Sequence, residues 1–230
     1  MISEKGKVKI DELKQDIVKM AHYIQQLYSK SRVALIERNE HNARDVIYSD
    51  SIVDAFSTEI EERIVKLLGI LTPIGRDLRF LASAMEINST LEQIADNCVA
   101  ISESSIELSK KPPIGLYGKL HKMFDEVYNM LSGAVHNLVL PSFTEGKMIC
   151  EKDDMVDKLL EEAEKELIEI LENTPKVITR GVSLLTVFRS LETIADLCTK
   201  LIAYATFIDS GKHYRCKDDT LAETDINVQD

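Results

Sequence analysis

Two short segments of the sequence contain the same pair of carboxylates. LEQIADNC begins at Leu91 and LETIADLC begins at Leu191, and six of the eight letters agree. The repeated acids are Glu92 with Asp96, and Glu192 with Asp196. Residues four apart on a helix project from one face, one turn apart. Each pair could therefore place two oxygen-bearing side chains around one cation.

Two aspartate pairs with the same spacing lie earlier in each half of the chain. They are Asp50 with Asp54, and Asp153 with Asp157. The first aspartate of each pair falls between apolar positions, Val46 and Val53 in one half and Ile149 and Val156 in the other. A carboxylate so close to a core seam needs compensation, because an unpaired buried charge is costly.

Four carboxylates would meet in each half if its second and third helices pack antiparallel. Such a group is unfavourable unless protons, Lys or Arg, or metal ions neutralise it. Only oxygen ligands are offered, which suits Mg, Mn, Ca or iron better than a thiolate zinc site. The sequence therefore predicts two cation sites, one in each half.

A solvated acidic face is the alternative interpretation of any single pair. The chain has 39 acidic residues among 230, so pairs at this spacing also arise by chance. Glu12 and Asp16 are one such pair, and we assign them no function. Two different pairs that are both duplicated in the same order favour a site.

The motifs of the enzyme classes considered are missing from the sequence. A ferritin-like di-iron centre uses Glu-x-x-His, but no histidine has a glutamate three residues before it. The histidines are His22, His41, His121, His136 and His213. Neither the nucleophile elbow G-x-S-x-G nor the phosphate loop G-x-x-x-x-G-K occurs. These two enzymatic interpretations are therefore disfavoured.

Composition and charge indicate a helical protein that does not bind nucleic acid. The chain has only 9 Gly, 5 Pro and no Trp, which is typical of long helices with few connections. A net charge of −11 disfavours contact with phosphate backbones and fits a cation or a basic protein partner. No signal peptide or run of 18 apolar residues is found, and the four cysteines form no C-x-x-C pair, so we expect a reducing cytoplasm.

An internal repeat divides the chain into two halves. The segments 50–54, 72–73 and 91–98 resemble the segments 153–157, 174–175 and 191–198, in the same order, and KKPPIG at 110–115 separates the halves. Apolar spacing predicts helices over 7–38, 42–70, 76–109, 117–140, 143–172 and 175–209. The prediction is an all-α fold of two tandem three-helix bundles, over 1–110 and 116–209, with a polar tail over 210–230. Cys98 and Cys198 fall in the apolar rows and are predicted to be buried and inert.

These features together resemble the PhoU family of regulators of bacterial phosphate uptake. The segment PIGRDLRFLASAMEINSTLEQIADNCVAI at 73–101 is similar to the family's Pro…Asp-Leu-Arg segment followed by Leu-Glu-x-Ile-x-Asp. The segment DSIVDAFSTEIEERI at 50–64 resembles the preceding helix. The resemblance extends from about Glu12 to Asp209 and occurs twice at matching intervals.

The resemblance implies a non-enzymatic, cytoplasmic regulator at the inner face of the membrane. Its implied partners are a sensor histidine kinase and the ATPase of the phosphate importer, through which it would restrain the phosphate-starvation response. It also implies metal ions, with multinuclear iron clusters as one form and Zn, Mn, Mg or Ca as alternatives. The implied ligands are Asp50, Asp54, Glu92 and Asp96 for one cluster, and Asp153, Asp157, Glu192 and Asp196 for the other.

The halves differ where the third helix begins. No counterpart of Asp77-Leu78-Arg79 is seen at 177–180, so we expect that Arg76, Asp77 and Arg79 contribute to a partner-binding surface, with a structural ion pair as the alternative role of Arg79. Two other functions stay open, a helical metal-buffering protein without a signalling role and a plain interaction scaffold. The sequence also leaves open whether the chain forms a homodimer.

Overall fold

Six long helices and a C-terminal hairpin make up the residues that the computed structural model describes, 2–217 and 220–224. The helices are α1 (Glu4–Ile36), α2 (Glu40–Ile70), α3 (Arg76–Ser109), α4 (Tyr117–Val139), α5 (Phe143–Asn173) and α6 (Ile178–Ser210), with one 3-10 turn at Pro175–Val177. The strands β1 (Tyr214–Lys217) and β2 (Thr220–Glu223) pair antiparallel. The prediction of an all-α fold with a tandem repeat is confirmed.

Local sequence signals explain where the helices begin and end. The side chains of Ser3, Asn39 and Ser142 each accept a hydrogen bond from a backbone N–H in the first turn of α1, α2 and α5. Pro175 begins the short turn ahead of α6, and Gly211 ends α6 with φ 78°, a conformation that glycine adopts without steric cost. The helix bounds lie within about three residues of those predicted from the sequence.

One continuous apolar core joins the two halves. It contains residues of all six helices, and the apolar rows of α3 and α6 pack along each other at its centre. Cys98 and Cys198 lie in these rows and are fully buried. Burial raises the pKa of the Cys98 thiol to about 12 and also raises that of Cys198, so both stay protonated and unreactive at neutral pH.

Arg79 attaches the start of α3 to the end of α6. Its Nη2 donates to the Ile208 carbonyl at 2.9 Å and its Nε to the same oxygen at 3.1 Å, which satisfies a carbonyl that the helix end leaves free. Arg76 instead forms an exposed ion pair with Asp209 at 3.1 Å. Two members of the predicted partner surface therefore make contacts within the chain.

Arg180 makes a related contact in the second half, while Arg38 bonds the last carbonyls of α3. Arg180 donates to the Pro112 carbonyl just beyond the end of α3, as Arg79 does at the end of α6. The segment 177–180 differs from Asp77-Leu78-Arg79 in sequence, but its arginine also bonds a backbone carbonyl of the other half. The two reciprocal contacts show that α3 and α6 run antiparallel.

Replacing Arg79 with alanine is expected to lower the free energy of unfolding by about 1 kcal/mol or more, because hydrogen bonds from a charged, half-buried donor would be lost. Arg76→Ala should change it by less than about 0.5 kcal/mol, because the Arg76–Asp209 pair is exposed. Urea unfolding of both variants would measure the difference. Equal effects would show that the Arg79 contact adds no stability.

The C-terminal segment forms an ordered hairpin that is linked to α5. Cys216 in β1 forms a disulfide with Cys150 in α5, and Leu221 in β2 is buried. The segment that the sequence predicted as a polar tail is therefore ordered over 212–217 and 220–224 and is linked by a disulfide, which a reducing compartment does not favour, while 218–219 and 225–230 lie outside the described residues. Within the described part of the chain, no helix is long and apolar enough to cross a membrane.

Candidate metal sites

The first acidic cluster lies between α2 and α3. The pKa of Asp96 is raised by burial first, and then by the charges of Asp50, Glu92 and Asp54. The pKa of Asp50 is raised by burial and then by Asp54 and Glu92. The structure therefore brings the four predicted acids of the first half into one electrostatic neighbourhood, as the antiparallel packing of the two helices requires.

The second cluster lies between α5 and α6 and is more strongly perturbed. Burial raises the pKa of Asp153 to about 7, with further contributions from Asp196, Asp157 and Glu192. The pKa of Asp157 is raised by burial, Asp196 and Glu161, and that of Glu192 by burial, Asp196 and Asp157. The Oδ1 atom of Asp153 is buried and has no hydrogen-bond partner. An ionised carboxylate in this place lacks the compensation that burial demands.

Neither cluster has a salt-bridged basic partner within the described residues, although the charge of Arg189 opposes the rise in the pKa of Glu192. Among the described residues, none of the eight acids forms a salt bridge, and the nearby Arg189 bonds instead to Glu164 at 3.1 Å. The control pair Glu12 and Asp16, to which we assigned no function, behaves differently, because Arg63 contacts both of its carboxylates. The predicted site residues therefore differ from this control pair in having no salt-bridge partner among the described residues.

The side chains of the clusters do not converge on a single point. Within residues 2–217 and 220–224, no group of three or more His, Cys, Asp or Glu side chains is already arranged to hold a metal ion. In each cluster the first aspartate and the glutamate are half-buried, while the two remaining aspartates are exposed. Coordination of one ion by all four acids would therefore require rotation of the exposed side chains.

Hydrogen bonding distinguishes the first cluster from the second, which the sequence reasoning missed. Ser57 Oγ donates to Glu92 Oε2 at 2.6 Å, and the side-chain amide of Asn88 donates to Ser57 Oγ at 2.9 Å. The corresponding positions of the second half, 160 and 188, are Leu160 and Phe188. The signal available in the sequence was Asn88 itself, a polar residue between the apolar Ile87 and Leu91 of the α3 row.

The donor set fits a hard cation. All eight side chains offer carboxylate oxygens, and the thiols of Cys98 and Cys198 are protonated within the core. Mg, Mn, Ca and iron accept such oxygen ligands, and a cation would remove the repulsion that raises the carboxylate pKa values. The buried, unpartnered oxygen of Asp153 is the atom that would gain most from such an ion.

The fold and these clusters define a class, a duplicated all-α protein in which each repeat has three helices and one acidic cluster. The family model described as PhoU domain matches the chain twice, over residues 17–105 and 120–205. The chain therefore belongs to the PhoU family.

Relatives and solved structures agree with this assignment along most of the chain. A phosphate-specific transport system accessory protein PhoU homolog 2 of Thermotoga maritima is 30% identical over 213 residues, with 93% of this chain and 91% of the relative covered. The corresponding homolog of Aquifex aeolicus is 30% identical over 212 residues, with 91% and 96% covered.

Two crystal structures share the fold at lower sequence identity. PhoU from Pseudomonas aeruginosa superposes with a TM-score of 0.85 at 21% identity, with 89% of this chain and 99% of that chain covered. The phosphate transport system regulatory protein PhoU from Streptococcus pneumoniae gives 0.84 at 24% identity, with 90% and 98% covered. At these identities, the two structures support the fold alone.

Proposed function

We propose that this protein is a non-enzymatic regulator of phosphate uptake and of phosphate-starvation signalling. The observation that carries the proposal is the match of more than nine-tenths of the chain to relatives named accessory proteins of the phosphate-specific transport system. The proposed partners are a sensor histidine kinase and the ATPase of the phosphate importer, both at the inner face of the membrane. The proposed location is therefore the cytoplasm.

Regulation by such a protein would be an effect of binding. A helical bundle can shift a partner between two states only if it binds one state better than the other. The net charge of −11 disfavours direct DNA contact, so an effect on transcription would pass through a protein partner. The side chains of Asp77 and of the exposed Arg76 lie at the start of α3, where a partner could reach them.

Metal ions are the second part of the proposal. One ion or cluster would be held by Asp50, Asp54, Glu92 and Asp96, and the other by Asp153, Asp157, Glu192 and Asp196. A bound cation would supply positive charge between two helices that otherwise present only carboxylates to each other. The absence of a basic partner for these eight acids, beside the neutralised Glu12 and Asp16, supports this part. A metal-buffering protein without a signalling role is the alternative function.

Deletion of the gene is expected to activate phosphate-starvation genes when phosphate is plentiful. The immobilised protein should also retain cytoplasmic domains of the kinase, the importer ATPase or both. Reporter expression and a pull-down from purified domains would measure the two effects. The combined change Arg76→Ala with Asp77→Asn should weaken retention, whereas Arg44→Ala, an exposed arginine on α2, should not.

Unchanged phosphate signalling after deletion, together with no retention of either partner, would contradict the regulatory function. Metal bound by the same purified protein would then favour the buffering alternative. Retention that is equal in the wild type and in the Arg76 and Asp77 variant would move the partner surface elsewhere on the molecule.

A further inference from the structure

We propose that Cys150 and Cys216 form a redox-active pair, a site of reversible thiol–disulfide modification that attaches the C-terminal hairpin to α5 when oxidised and releases it when reduced. The proposal does not depend on the function proposed above. The two Cα atoms are 5.3 Å apart, and 66 positions separate the residues in the sequence. The hairpin lies beyond residue 205, where the second match to the family model ends.

The two sulfur positions differ in access. Cys150 is buried against the hairpin at 1% exposure, while Cys216 is partly exposed on β1. Of the two sulfurs, that of Cys216 is therefore the more accessible target for an external thiolate, with the Cys150 sulfur as the leaving group. Cys98 and Cys198 cannot take part in this chemistry, because both are enclosed in the core between the halves. Among the described cysteines, thiol–disulfide exchange in the folded protein is thus confined to one pair.

Besides the disulfide, the hairpin packs on α5 and α6, and His213 just before β1 stacks on Phe207 of α6 at 4.1 Å. Leu221 packs against Gly146 of α5, where an added Cβ would lie 3.1 Å from a Leu221 methyl group, and Phe143 meets Tyr214 edge-to-face at 5.5 Å. The strands have four residues each, and an isolated two-stranded hairpin is at best marginally stable in water. Loss of the covalent link should therefore increase the fraction of molecules in which the hairpin is detached.

The attachment point lies on a functional face of α5. Cys150 is three residues before Asp153 and seven before Asp157, so the three side chains follow one another along the same side of the helix. Gly146, one turn before Cys150, contacts both Leu221 of the hairpin and Ile202 of α6. Detachment would uncover this apolar stripe beside the second acidic cluster, and oxidation would cover it again.

The exchange is balanced with a low-molecular-weight thiol as the reductant. One thiolate attacks the Cys216 sulfur, a mixed disulfide forms, the Cys150–Cys216 bond breaks, and the electron pair leaves on the Cys150 sulfur, which takes a proton. A second thiolate attacks the mixed disulfide, which yields the oxidised small disulfide and the Cys216 thiolate. Oxidation is the reverse, with the small disulfide as the oxidant. Proteins in reducing compartments use such disulfides for redox sensing more often than as permanent links.

The test is a titration of the purified full chain with mixtures of reduced and oxidised glutathione. Maleimide labelling of the folded protein should show two thiols that become reactive together and reversibly. Trypsin should cleave after the exposed Lys212 and Arg215 at least tenfold faster in the reduced protein. Cys216→Ser should be cleaved at the fast rate in both reduced and oxidised glutathione. Because Cys216 lies in the hairpin, this change leaves the helical core intact.

Three outcomes would overturn the proposal. The pair could remain oxidised at every glutathione ratio, which would make it a permanent link. It could fail to form even with oxidised glutathione alone. Labelling could follow the glutathione ratio while the cleavage rate stays the same in both states, which would show that the hairpin does not detach.

Discussion

Replacing both Asp96 and Asp196 with asparagine is expected to remove most of the metal that the purified protein binds. Each change takes one charged ligand from a cluster whose remaining carboxylates have no basic partner. The single variant Asp96→Asn should lose the metal of the first cluster and keep that of the second, because the clusters lie between different helix pairs. Elemental analysis after gel filtration would measure the metal content of each variant.

A chelator provides a second measurement of the same prediction. Metal that binds only the native state raises the free energy of unfolding by about 2.7 kcal/mol when its free concentration is a hundred times its dissociation constant. Chelation should therefore lower the melting temperature of the wild type clearly more than that of the double variant. Metal should be added back to both proteins before the measurement, so that loss of metal during purification does not hide the effect.

The matched control is the double change Glu12→Gln with Asp16→Asn. It removes the same charge from a helical pair of the same spacing, but Arg63 already neutralises that pair. Its metal content should equal that of the wild type. An equal metal content in the Asp96 and Asp196 double variant would contradict the proposed sites and leave these acids as a solvated face.

The helices could be predicted from the sequence because their limits depend on local chemistry. Pro175 begins the turn before α6 and Gly211 ends that helix, because of the backbone angles that each residue type favours. The apolar rows must face a core. The grouping of the acids followed from the duplicated order of their pairs. Whether those acids coordinate a metal is still a prediction.

Three features could not be read from sequence spacing. Arg79 and Arg180 each donate to a backbone carbonyl of the opposite half, because each long side chain extends from the start of one helix to the region where another helix ends. The hairpin depends on a disulfide whose partners are 66 positions apart. The hydrogen bond from Ser57 to Glu92 joins two helices whose relative rotation no periodicity specifies. Each of these contacts depends on the distance between residues that are remote in sequence.

In the metal-free protein, Asp153→Asn is expected to raise the free energy of unfolding by about 2 kcal/mol at pH 8. Burial and neighbouring acids raise the pKa of Asp153 from 3.8 to about 7, so its charged form opposes folding. A pKa shift of this size corresponds to a loss of about 4 kcal/mol in the free energy of unfolding, at 1.36 kcal/mol per unit of pKa. Because the carboxyl group is only half-buried, we reduce that value by about half for solvent screening. Urea unfolding with a chelator present would measure the change.

The pH dependence of this effect has a definite sign. Below about pH 4, Asp153 is protonated in both the folded and the unfolded chain, and the variant and the wild type should be equally stable. As the pH rises from about 4 to about 7, the unfolded chain ionises first, so the wild type loses stability relative to the variant. Above about pH 7 the difference should be constant.

Asp50→Asn is the matched control in the first cluster. Its effect should be smaller, because Oδ1 of Asp153 is buried and has no hydrogen-bond partner. A difference that is absent at pH 8, or one that grows towards pH 4, would show that the charge of Asp153 is solvated and would remove the electrostatic reason for a cation at this place.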